Sequence, residues 1–135
     1  MRRFLLPAFA VALALSGCGA AQTSSSSKFK GAQKDVADVV DKLATSGRRR
    51  DAATICSDIL SKQLLAQLKT AGGDCETEMK NAIQDADNYD LQVRSVKVTG
   101  ASATAQVRQG KDGPVATFTF VKENSAWRAS ALGSS

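Results

Sequence analysis

Three cysteines, a short acidic run around a lone tyrosine, and a triplet of arginines are the side chains of this 135-residue sequence with chemistry beyond packing and solvation. Cys18 closes an apolar run, whereas Cys56 and Cys75 fall inside stretches of helical periodicity. There is no histidine. That removes Ser-His-Asp and Cys-His nucleophilic catalysis, along with every metal site built on imidazole. Asp85, Asp87 and Asp90 crowd around Tyr89, but the run lacks the glycine and the terminal glutamate of an EF-hand loop. A calcium site is therefore disfavoured, and neither a metal nor a cofactor is expected.

Cys18 is preceded by Leu15-Ser16-Gly17, and upstream stand Met1-Arg2-Arg3 as a basic start and an apolar core over residues 4–15. That core is shorter than the roughly 20 apolar residues a spanning helix takes, so it reads as a cleaved signal. Arg2-Arg3 reads as the positive flank of that signal rather than as a twin-arginine motif, whose remaining pattern is missing. Leu15-Ser16-Gly17-Cys18 resembles the lipobox of bacterial lipoproteins. The resemblance implies cleavage before Cys18, a diacylglycerol (palmitate-type) anchor on its sulfur, and a mature chain on the extracytoplasmic face of the cell membrane. Because Gly19 follows Cys18, the Asp that retains some lipoproteins at an inner membrane is missing, and the Ala-rich signal suggests a single-membrane actinobacterium.

Loss of residues 1–17 removes Arg2 and Arg3 and no acid, so the net charge falls from +5 to +3. That modest excess suits an anionic membrane surface, where each nearby basic group contributes about 1 kcal/mol. No nucleic-acid partner is implied, since basic and aromatic residues do not interleave. Residues 18–27 are small and polar and read as a flexible tether. Residues 28–135 are enough for one compact domain.

The domain begins with helical spacing at Phe29, Ala32, Val36, Val39, Val40 and Leu43, with Ser26 or Ser27 as the expected cap and Gly47 as the expected stop. Arg48-Arg49-Arg50 follows and reads as a solvated loop partly offset by Asp51 and Asp58, with contact to phospholipid or another anionic envelope polymer as the functional alternative. Asp51 opens a second helical stretch carrying Ala52, Ile55, Cys56, Ile59 and Leu60. Ser61 caps its continuation through Leu64, Leu65 and Leu68, and Gly72-Gly73 stops it. Asp74 caps a third helix that turns Cys75, Met79, Ala82, Ile83 and Ala86 inward. Cys56 and Cys75 thus sit on the inner sides of helices in a chain with an export signal. A structural disulfide between them is the economical expectation. A two-Cys metal site lacks completing ligands, and a redox pair usually has C-x-x-C spacing.

After Asp90 the period becomes alternating. Leu91 and Val93 face one way and Val96 and Val98 the other, a phase slip near Arg94-Ser95 that suggests a bulge. Ala101, Ala103, Ala105 and Val107 line one face of the next run, then Ala116, Phe118 and Phe120 point inward after the Gly110-Lys111-Asp112-Gly113-Pro114 loop. Glu123-Asn124-Ser125 closes a hairpin into Trp127 and Arg128. Helices followed by a strand meander define an α+β class, N-terminal helices covering the apolar face of a curved antiparallel sheet.

This order, together with Ala53-Thr54-Ile55-Cys56-Ser57-Asp58-Ile59-Leu60-Ser61, Gly72-Gly73-Asp74-Cys75, residues 96–107, Phe118-Thr119-Phe120-Val121 and Trp127-Arg128, resembles the NTF2-like (cystatin-like) superfamily over about residues 30–132. The nearer likeness is to small secreted actinobacterial lipoproteins of that type. Strand structure that full members carry between their early helices is missing, which implies a reduced cone. Catalytic members of the superfamily, steroid isomerases and polyketide cyclases, use a pocket Asp or His with a Tyr or Asp. Here that would require an acid near Tyr89 buried with a raised pKa, whereas a solvated junction requires nothing. No catalytic residue is expected, and the chain reads as a non-enzymatic, lipid-anchored domain that contacts an envelope protein. The alternative is a module holding a small apolar ligand between Ala103, Ala105, Phe118 and Phe120, where small side chains either leave room or let a helix pack close.

Overall fold

In the computed structural model the described residues are 25–84 and 90–134. Cys18, Tyr89, Asp85, Ala86 and Asp87 lie outside them. Helix α1 (Gly31–Arg48) buries Val36, Ala37, Val40, Leu43 and Ala44 as one stripe. Its N-cap is Lys30, which makes no side-chain cap bond. The serines expected to cap it instead enter a 3₁₀ turn, Ser25–Lys28, in which Ser25 and Ser26 are both buried. The last residues of the expected tether are therefore part of the folded domain. Ala32, on the expected apolar face, is exposed, because the first turn of α1 extends beyond the core.

Gly47 does not stop α1. The helix runs one residue further, and Gly47 is buried in its last turn. The reversal comes at Arg50, whose φ of 56° is left-handed. Arg50 N–H donates to the Gly47 carbonyl at 3.0 Å and Asp51 N–H to the Ser46 carbonyl at 2.9 Å. That bond pair is the Schellman ending, a position where glycine is normally favoured.

Helix α2 (Ala52–Thr54) is capped by Asp51, which accepts from the Thr54 N–H at 3.0 Å and from its hydroxyl at 2.7 Å. It widens at once into a π-helical turn over Ile55–Ile59, closed by the Leu60 N–H on the Ile55 carbonyl at 3.0 Å. The wider turn buries both Ile55 and Ile59 while leaving Cys56 at the half-buried margin. Helix α3 (Lys62–Thr70) starts at Ser61, whose side chain accepts from the Leu64 N–H at 3.1 Å. It ends at Gly72 with φ 85° in the same Schellman arrangement as α1. Helix α4 (Cys75–Gln84) is capped by Asp74 through the Thr77 N–H at 3.2 Å, with Glu76 and Glu78 in its positive first turn. Ile83 is its buried residue; Met79 and Cys75 are half-buried and Ala82 is exposed, a narrower inward face than the spacing suggested.

Strands β1 (Leu91–Thr99), β2 (Ser102–Gln109), β3 (Val115–Glu123) and β4 (Ala126–Ser134) form one antiparallel sheet in sequential order. The bulge falls between Val93 and Ser95, and its effect is to bring all the apolar residues of β1 to one side: Val93 pairs with Val107, and Val96 with Ala105. Asn124 and Ser125 both take positive φ in the two-residue β3–β4 turn, as the right-handed twist of a hairpin demands. Ala101 sits exposed in the β1–β2 turn rather than on the inward face.

The core lies between one sheet face and the helices, joining α1, α2 and its π turn to Ala103, Ala105, Val107, Phe118, Phe120, Trp127 and Ala129. Both outer strands are engaged by the helical layer. Gln33 of α1 donates to the Val96 carbonyl of β1 at 3.2 Å. Leu60 lies parallel to Ala129 of β4, and Ser61 N–H donates to the Ala129 carbonyl at 2.8 Å. Such contacts occupy backbone groups that would otherwise offer a template for strand addition.

Candidate functional site

The expected disulfide is present. Cys56 leaves the π turn, Cys75 opens α4, and their sulfurs are bonded across a 6.0 Å Cα separation. The bridge joins positions 19 residues apart and encloses all of α3. Closing a loop of that length stabilises the folded state by about 3 kcal/mol. Helix α3 needs this restraint, since none of its residues is fully buried and Leu64, Leu65 and Leu68 only lean on the core.

Two shallow clefts flank the bridge, with Leu65 in the wall of both. One, about 290 Å³, is bordered by Cys56, Ser57, Lys62, Glu123 and Arg128. Two of its charged groups, Glu123 and Arg128, are committed to structure. The Glu123 carboxylate accepts from the Lys62 N–H through both oxygens at 3.2 Å, tying the β3–β4 hairpin to the start of α3. Arg128 donates to the Ser57 carbonyl at 2.8 Å. The other cleft, about 540 Å³, is bordered by Lys69, Gly72, Gly73, Asp74 and Cys75, and Asp74 is the cap of α4.

Carboxylates near this region are held ionised. The Ser57 hydroxyl, and then Lys42 at 3.4 Å, lower the pKa of Asp58. The Thr54 hydroxyl, followed by its N–H, lowers that of Asp51. Both shifts run opposite to what a general acid requires. Of the two acids expected to offset the arginine triplet, Asp51 is engaged first by Thr54 and also by the charge of Arg49, whereas Asp58 is engaged by Ser57, Lys42 and Arg128. Among the described residues no group of three or more His, Cys, Asp or Glu could hold a metal ion.

Ala103, Ala105, Phe118 and Phe120 are placed together, each at most 3 % exposed. Ala103 faces Phe120 across the β2–β3 ladder and Ala105 faces Phe118, so the space beside each small side chain is taken by an aromatic ring. A ligand held there would have to part these pairs. Trp127, 6 % exposed, joins the same core with its indole N–H unpartnered among the described residues, and Lys122 Nζ lies 5.9 Å from its ring centroid.

Sequence reasoning missed the joint between the chain start and α1. The Asp41 carboxylate accepts from the Ser25 hydroxyl at 2.8 Å, the Ser25 N–H at 3.3 Å and the Ser26 N–H at 3.0 Å. The helical stripe places Asp41 beside the buried face, but no local spacing pairs it with serines 15 and 16 positions upstream.

The fold and the bridge define, among the described residues, a disulfide-stapled α+β domain in which α1, the π turn and α3 pack on an open four-stranded antiparallel sheet and α4 packs on α2 and the π turn. Compared with known proteins, the chain matches no family model, no curated protein and no solved structure.

Proposed function

We propose that the chain is a non-enzymatic domain, lipid-anchored through Cys18 and displayed on the extracytoplasmic face of a cell membrane, where it contacts an envelope partner. The Cys56–Cys75 bridge is the observation that carries this reading. Such bonds persist in oxidising compartments and are rare where thiols are kept reduced. Leu15-Ser16-Gly17-Cys18 adds the anchor by its likeness to a lipobox. Glu123, Arg128 and Asp74, which border the two clefts, act as caps and cross-links, and the described acids with shifted pKa values are held in their ionised form. Both observations favour a contact role over proton-transfer chemistry.

At the finer level of fold, the reading is a reduced NTF2-like cone. Its support is the order of elements, with helices preceding a meander whose first strand is bent by a bulge. An actinobacterial lipoprotein is the source class that the signal suggests.

Substituting the acylated residue tests the proposal. The Cys18→Ala variant is expected to leave the membrane fraction for the soluble fraction and to lose incorporation of labelled palmitate. Retention of that variant in the membrane overturns the anchor.

A further inference from the structure

Resting on the anchored reading above, we infer that Arg49 and Arg50, at the end of α1, form a docking surface for an anionic phospholipid bilayer, and that Asp41 directs the anchored chain to that end. The Asp41 carboxylate holds Ser25 and Ser26, which are 5 % exposed. Chain between Ser25 and the start of α1 at Gly31 therefore runs back along the helix, and its departure point lies beside residue 41 rather than beside residue 31. From there to Arg48 is seven residues of helix, a rise of about 10 Å. Cys18 precedes Ser25 by seven positions, which an extended chain spans in at most about 25 Å. An anchored molecule thus keeps the end of α1 within reach of the lipid surface.

Charge gives the occupant. Arg49 and Arg50 are exposed, and neither forms an ion pair among the described residues. Asp51, the acid next to them, is occupied in capping Thr54. Asp58 is occupied by Ser57 and Lys42. Position 50 is also left-handed, where a glycine would fit with less strain. Two exposed guanidiniums outside ion-pair distance of any described carboxylate, Arg49 feeling only the more distant charge of Asp51, stand at the end of the helix nearest the tether and complement the phosphates of an anionic headgroup layer.

The test uses the full acylated protein in vesicles of phosphatidylcholine alone and of equimolar phosphatidylcholine and phosphatidylglycerol. Trypsin cleavage after Arg49 and Arg50 is followed relative to cleavage after Lys111 on the β2–β3 loop. The anionic vesicles are expected to slow the arginine sites about tenfold relative to Lys111, with the protection lost in high salt. The Asp41→Asn variant is expected to weaken that protection while still floating with the vesicles. Equal relative rates in the two vesicle types overturn the docking surface, and undiminished protection in Asp41→Asn overturns the role of Asp41. Flotation on neutral vesicles reads the anchor separately: a protein that does not float there sinks the anchored reading and this inference together, whereas one that floats without protection sinks this inference alone.

Discussion

Arg50 and Gly72 occupy equivalent positions in two copies of the same helix ending, both left-handed, at φ 56° and 85°. Gly72 suits that conformation, whereas a residue with a Cβ is held there at a cost of roughly 1–2 kcal/mol. Arg50→Gly is therefore expected to raise unfolding stability by about 1 kcal/mol in urea titration; a neutral or destabilised variant would show that the arginine side chain makes up for its strain elsewhere. This contrast explains why one ending was legible and the other was not. Gly72-Gly73 carries the chemical signal of a stop, while at α1 the only glycine nearby, Gly47, is buried in the last turn. Asp51 supplies a second test at this scale. Its folded pKa is lowered, so its contribution is complete above the unfolded value of about 3.9 and is lost as pH falls through the lower folded value. Asp51→Asn should accordingly have a lower Tm than the parent at neutral pH, with the gap closing as pH falls below about 4. A gap that stays constant down to pH 2 contradicts the assignment.

At the scale of elements, caps and alternation were readable because they are local. Ser61 and Asp74 sit directly before helices, and the bulge of β1 shows as a slip in a period of two. The π turn was not readable, because Ile55 to Ile59 has the same apolar spacing in a tighter helix, and packing against the core and α4 decides between them. That turn gives the disulfide its place, and the disulfide in turn holds α3, which buries no residue of its own. Replacing both cysteines, Cys56→Ala with Cys75→Ala, should lower unfolding stability by about 3 kcal/mol, with α3 amides exchanging earliest. A loss below about 1 kcal/mol would mean that the leucines of α3 hold it unaided.

At the scale of the whole molecule, an α+β order with helices before strands was legible from the change of period alone, and the described core follows it. What escaped was long-range and polar: Asp41 on Ser25 and Ser26, Glu123 on the first amide of α3, and Arg128 on Ser57. Each joins segments that no sequence window contains together, and each consumes a charge that could otherwise be mistaken for a reactive group. The acid-rich junction around Tyr89 lies outside the described residues, as does Cys18. Anchoring is the claim on which location, oxidation state and membrane orientation all depend. Mass spectrometry of the N-terminal peptide from membrane-extracted protein tests it most directly. The expected peptide begins at Cys18 and carries diacylglycerol on its sulfur; a peptide beginning at Met1, or at Cys18 without lipid, contradicts the account.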